Sequence, residues 1–153
     1  MQELIDIFLA YKTSIVGGIL VACFGAYLAW RNGHKARRAN ACAAFRSSVL
    51  NIFIGIYPEP KDWPSDGNSV DRKLQSIFPA LQTAVENFRP FVPWLSRRGF
   101  NRAWSIYLHG SEANSGSHYY QYMGYSSPDV EIPDSKATFK ANVERLLSYA
   151  KET

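Results

Sequence analysis

The sequence predicts an all-α protein: an N-terminal transmembrane helix, able to run on without a break into the first helix of a small cytosolic helical bundle. Three observations predict it. Residues 13–30 carry no charge. A cluster of bases follows at once, and no acid appears between Asp6 and Glu59. Downstream, four segments repeat apolar side chains at three- and four-residue spacing, the period of a helix with one buried face. A chain of 153 residues, 46% hydrophobic and 20% charged, has room for one domain and an appendage. It is too apolar for a disordered or collagen-like polymer. The expected divisions are a short external tail (1–12), the membrane helix (13–30), a basic juxtamembrane segment (31–38) and the bundle (39–153) with a long 110–134 loop.

The membrane helix reads TSIVGGILVACFGAYLAW. Its 18 residues rise about 27 Å as a helix, against a hydrocarbon core of about 30 Å. Ile7 to Tyr11 extend the run, because Lys12 can snorkel toward the headgroups. Tyr11, Tyr27 and Trp30 suit the interfacial aromatic belts. A core helix of a soluble protein would keep a polar face, and this run has none. Lys12 is the one base on the N-terminal side, whereas Arg31, Lys35, Arg37 and Arg38 follow the C-terminal side. The positive-inside rule then puts the N-terminus outside and the body in the cytoplasm.

The net charge of +4 is local. Residues 1–6 carry −2, residues 7–58 carry +6, and residues 59–153 are neutral, with eleven bases and eleven acids. A nucleic-acid-binding domain would spread its bases over a folded face, so no nucleic-acid partner is expected.

Two processing signals compete with a membrane span. Leu20-Val21-Ala22-Cys23 matches a bacterial lipobox, which would make the chain a periplasmic lipoprotein acylated at Cys23. The run stays apolar after Cys23 and then turns basic, unlike the polar tether of a mature lipoprotein. Ala39-Asn40-Ala41 has the form of a cleavage site but lies behind the arginines, the wrong end for a signal peptide. Cys23 and Cys42 read as two small hydrophobes with no bridge between them.

The first bundle helix spans about Ala36 to Tyr57, with Cys42, Phe45, Val49, Ile52, Phe53 and Ile56 on one face. Joined to the membrane helix it would make one rod with Gly33 as its weak point, and Pro58 and Pro60 stop it. The second spans about Asp71 to Phe88, with Leu74, Ile77, Phe78, Leu81, Val85 and Phe88 on its stripe. Pro79 should kink or restart it. The third spans about Pro93 to His109, with Phe100, Ala103, Trp104, Tyr107 and Leu108 facing the core. The fourth spans about Ser135 to Lys151, with Phe139, Val143, Leu146, Leu147 and Ala150 repeating and Asp134 or Ser135 as N-cap.

Candidate surfaces follow from these elements. Ser14, Gly18, Ala22 and Ala26 are spaced by four, and Gly25 and Ala29 widen the same face. Small residues at that spacing let helices approach closely in lipid, so a homodimer or a membrane partner is expected there. Arg31, Lys35, Arg37 and Arg38 serve as topology signal and as contacts for anionic headgroups. Tyr119, Tyr120, Tyr122 and Tyr125 crowd into seven residues of the long loop and are the candidate partner-binding surface. The alternative is that these rings close the open end of the bundle. Arg97, Arg98 and Arg102, near Trp94 and Trp104, could suggest a phosphate surface but read better as a solvated face.

No catalytic residue is assigned. The acids Glu59, Asp62, Asp66 and Asp71 do not form a calcium loop, and His34, His109 and His118 lack zinc-ligand spacing. His109 and His118 flank one loop near Glu112, the only place where an acid–base pair is conceivable. No phosphate loop, dinucleotide glycine motif, nucleophile elbow or HExxH occurs. No cofactor or metal is expected. The reading is a membrane-anchored interaction protein and not an enzyme, with a lipoprotein or an enzyme of unfamiliar type as alternatives.

A basic juxtamembrane stretch runs into Ala43-Ala44-Phe45-Arg46, followed by Phe88-Arg89-Pro90-Phe91 and then Trp104-Ser105-Ile106-Tyr107. In this pattern, over residues 13–151, the sequence resembles bacterial proteins with one N-terminal membrane helix and a small cytosolic helical body. The resemblance implies a bacterial inner-membrane location and brings no assigned activity.

Overall fold

Four α-helices and four 3-10 turns make up the computed structural model, with no strand among the described residues. It describes residues 2–110, 118–124 and 134–151, with side chains from residue 18 onward except Ile19. Two compact units result: Met1–Ala39 and Asn40–Thr153.

Helix α1 spans Gln2–Ile52 without interruption. Gly33, the expected weak point, does not break it. Arg37 Nε donates to the Gly33 carbonyl at 3.3 Å, one turn back, which supports the backbone there. Among the described residues no helix is long and apolar enough to cross a membrane. The described side chains from Leu20 to Trp30 are the uncharged part of the expected span that can be followed. The side chains of 13–17 and of Ile19 complete the expected span but lie outside the described residues.

The first bundle helix ends at Ile52, five residues before the expected stop at Tyr57. Phe53 N–H still reaches Val49 O at 3.1 Å, but Gly55 then turns left-handed, with φ of 85°. Asp62 N–H donates to Gly55 O at 2.8 Å, folding the proline-rich connector back onto the turn. A Cβ at Gly55 would run into the Asp62 carboxylate, so backbone strain and crowding both demand glycine there.

Helix α2 spans Gly67–Phe88, starting four residues earlier than expected. Asp66 caps it by accepting from Ser69 N–H at 2.8 Å, and hydrogen bonding from the Ser69 side chain, then from its backbone N–H, holds the carboxyl below the usual Asp range. The expected restart at Pro79 does not occur. Pro79 and Gln75 both lie on the exposed side, so water can take the Gln75 carbonyl that proline leaves without a donor. Two 3-10 turns, Arg89–Phe91 and Trp94–Ser96, lead to α3, Arg97–His109. The third helix thus begins four residues after the expected Pro93. Helix α4 spans Ser135–Leu147 and tightens into a 3-10 turn at Ser148–Ala150. Asp134 is its N-cap, accepting from Lys136 N–H at 3.0 Å.

The core of the second unit is aromatic. Phe45 of α1 stacks on Phe88 of α2, with centroids 4.5 Å apart, and Phe100 of α3 meets both edge-on. Further along, Phe139 of α4 receives Phe53, Trp63 and Tyr122 at 5.2 to 5.4 Å. Cys42, Val49, Leu74, Leu81, Val85, Val143 and Leu146 fill the space between these rings. Trp104, expected in the core, is only half-buried. It lies flat between Phe78 and Tyr107, at 6.3 and 5.6 Å.

Candidate functional site

Among the described residues, helix α1 exposes a continuous run of large apolar side chains. Leu20, Val21, Phe24, Tyr27, Leu28 and Trp30 are each 37 to 74% exposed. At about 100° per residue these six occupy one half of the helix circumference. Gly18, Ala22, Gly25, Ala26 and Ala29 occupy the other half, and all five are exposed. Nothing lies within 4 Å of where a Cβ at Gly18 or Gly25 would sit. Ser14, the first residue of the expected small face, lies outside the described side chains. Cys23, the lipobox cysteine, is exposed. One face of the helix is therefore smooth and the other bulky, and neither is polar.

A cationic collar closes this surface. Arg31, Lys35 and Arg37 are exposed and Arg38 is half-buried, all on the same helix. Trp30 packs edge-on against His34 at 4.5 Å and near Tyr27 at 6.3 Å, so aromatic rings mark the border between apolar and basic side chains.

Two rings of the tyrosine loop take the alternative role and close the end of the bundle. Tyr119 and Tyr122 are 1% exposed, which corrects their assignment to a contact surface. Tyr119 adopts a left-handed backbone, φ 63°, and starts a 3-10 turn over Tyr120–Tyr122. That turn satisfies the last carbonyls of α3. Tyr119 N–H donates to Leu108 O at 2.8 Å, Gln121 Nε2 donates to Ile106 O and Tyr107 O at 2.8 and 2.9 Å, and Tyr122 OH donates to Tyr107 O at 3.0 Å. The Tyr107 and Leu108 carbonyls are of the kind that a helix end leaves without intrahelical donors, whereas Ile106 O also takes the Gly110 N–H at 2.9 Å. Tyr120 is 49% exposed and is the one ring of the cluster that the described residues leave on the surface. Tyr125 lies outside the described residues.

Asn142 was not legible as a functional position, yet it completes this cap. Its Nδ2 donates to Tyr122 OH at 2.9 Å, and it is the buried polar residue of the core. The available signal was an asparagine on the stripe of α4, between Phe139 and Leu146. Burial pushes Tyr107, Tyr119 and Tyr122 well above the usual tyrosine range. Around Tyr107 the neighbouring Tyr122 and Tyr119 add to the effect, and around Tyr119 the Asp71 carboxylate does. All three are neutral hydroxyls near neutrality.

The remaining candidates are structural. Asp66 is a cap, and Asp71 Oδ2 accepts from Gln75 at 2.7 Å. Among the described residues no group of three ligating side chains could hold a metal. His109 and His118 do come together, with ring centroids 4.7 Å apart, because the Tyr119–Leu108 hydrogen bond joins their segments. Glu112, the carboxylate expected near these histidines, lies outside the described residues. A shallow recess lined by Ile56, Trp63, Pro64, Val70, Lys73 and Leu74 encloses no space for a small molecule. The Phe45, Phe88, Trp104 and Tyr107 rings of the bacterial-type pattern are packing residues. Compared with known proteins, the chain matches no family model, no curated protein and no solved structure.

Proposed function

We propose that the chain is a single-pass membrane-anchored interaction protein of the bacterial inner membrane. Residues 13–30 cross the bilayer with the N-terminus outside, and the helical body works in the cytoplasm. One observation carries this reading: α1 presents six large apolar side chains to its surroundings and then a basic collar, with no polar face between them. An apolar surface of that extent needs a nonaqueous covering, and a helix lacking a polar face suits lipid better than a protein groove. Arg31, Lys35, Arg37 and Arg38 then sit where inner-leaflet headgroups are anionic, each contributing about 1 kcal/mol. The small-residue half of α1 would pair with a second copy or another membrane helix. Tyr120 is the described member of the tyrosine cluster left for a cytoplasmic protein partner.

The test uses the full chain with a reporter after Thr153. Retention in the membrane pellet through alkaline carbonate, with a fluorescent reporter active and a phosphatase reporter silent, is the expected result. A chain recovered in the carbonate supernatant defeats the anchor. An active phosphatase, with palmitate labelling that depends on Cys23, replaces it with the lipoprotein. For the helix contact, Gly18→Ile should lower the cross-linked dimer yield several-fold, and an unchanged yield removes the dimer.

A further inference from the structure

The connection between α2 and α3 holds the most exposed large apolar side chains of the second unit. Trp94 and Leu95 are each 76% exposed, next to one another in a 3-10 turn, and Phe91 is 38% exposed on the preceding one. A core that buries Phe88 and Val92 to within 2% on either side of Phe91 leaves these three outside. The sequence placed Trp94 at the start of a helix whose arginines form a solvated face. The structure separates the turn from that helix and turns it outward.

The turn is tied to the core on both sides. Val92, buried at 1% exposure, anchors it. Arg97 Nε donates to Val92 O at 3.2 Å and ties the start of α3 to the turn. Val92 N–H donates to Arg89 O at 3.3 Å, Ser96 N–H to Pro93 O at 2.8 Å, and Arg97 N–H to Trp94 O. Pro90 and Pro93 have no N–H to satisfy.

The charges that follow it along the chain have one sign. Between Glu86 and Glu112 there are four arginines and no acid. Arg89 pairs with Glu86 at 2.8 Å. Arg97, Arg98 and Arg102 are exposed and follow directly on the turn. A tryptophan and a leucine side by side, bordered by arginines, match the residue preferences of the headgroup boundary. A nucleic acid would find a stacking plane in Trp94 but neither stacking nor hydrogen bonding in Leu95.

We propose that Phe91, Trp94 and Leu95, with Arg97, Arg98 and Arg102, form a lipid-contacting turn that dips into the headgroup region of an anionic bilayer. This goes beyond the membrane helix and does not depend on it. The cations select anionic lipid, and the apolar side chains fix the depth.

The test places a spin label on Leu95→Cys in the full chain carrying Cys23→Ala, mixed with vesicles. Collision with oxygen and with a water-soluble nickel chelate reads where the label sits. In phosphatidylcholine vesicles containing phosphatidylglycerol, nickel accessibility should fall several-fold while oxygen accessibility rises. The shift should disappear in phosphatidylcholine alone, and in Arg97→Gln/Arg98→Gln. A label equally open to nickel in both vesicle types overturns the proposal. So does shielding from both reagents, or spin–spin broadening, which would mean that a second copy covers the turn. A parallel label on Leu20→Cys reports α1 alone, so failure of the turn and failure of the membrane helix are told apart.

Discussion

The hydroxyl of Tyr122 shows how much one buried polar atom can hold. It donates to Tyr107 O at the end of α3 and accepts from Asn142 on α4, both within 3.0 Å. Tyr122→Phe strands the buried Asn142 amide, and the expected loss is about 1–3 kcal/mol in chemical denaturation. The Tyr107 hydroxyl makes the opposite case. It is buried with no hydrogen-bond partner among the described residues, so Tyr107→Phe should be neutral or stabilising in the same measurement. Both substitutions keep the ring and remove a hydroxyl, so the difference between them isolates the hydrogen bonds of Tyr122. The same burial has a pH consequence. The three tyrosines have folded-state values above their unfolded one, so the unfolded chain releases its phenolic protons first. Their contribution is complete below about pH 10 and declines as pH rises beyond it. A denaturation midpoint followed upward through that range should fall, and less steeply in Tyr107→Phe.

Helix α2 is where element-level reasoning and structure part most clearly. Proline at position 79 argues for a break, yet the helix continues through it. Local propensity lost to the stripe of Leu74, Leu81, Val85 and Phe88, which buries one continuous face against the core. Pro79→Ala restores a donor to Gln75 O on the exposed side. It should stabilise by about 2 kcal/mol, an interior-proline penalty of about 3 kcal/mol reduced by the greater freedom of the unfolded chain. Thermal unfolding followed by circular dichroism reads it, with the helical signal of the folded state unchanged. The ends of elements were less legible than their middles. The stop of α1 at Ile52 depends on Gly55 meeting Asp62, a contact across the connector that no local window contains. The 3-10 turn at Trp94–Ser96 follows from Val92 being pulled into the core, again a nonlocal cause.

At the scale of the molecule, the C-terminal part of α1 belongs to the second unit, whose boundary falls at Asn40. Phe45, 3% exposed and stacked on Phe88, is its main tie to α2 and α3. Phe45→Ala should cost the body about 3–5 kcal/mol. Near-ultraviolet dichroism should report it, with membrane fractionation of the full chain unaffected. The fold class was legible because Phe45, Val49, Phe53, Leu74, Leu81, Phe100, Phe139 and Leu146 recur at the helical period, and all are buried. The candidate site was legible in part. The apolar run and its basic collar stand next to each other in sequence, so the alternation of large and small residues around α1 could be read directly. The tyrosines could not. Tyr119 and Tyr122 point inward while Tyr120 points out, a split set by a left-handed residue and a short turn, neither of which leaves a periodic trace.

By itself, the order of residues determined that the chain is helical, which faces are apolar, and where positive charge gathers. Those properties are local, set by spacing within a turn or two. Only the tertiary structure decided which rings become core and which surface, where α1 stops, and that Trp94 and Leu95 remain outside. Those outcomes depend on what arrives from far along the chain: Asp62 at Gly55, Gln121 and Tyr122 at the end of α3, Asn142 at Tyr122. A buried carbonyl or hydroxyl must find its partner wherever the chain supplies one, and that search leaves no signature in the neighbouring sequence.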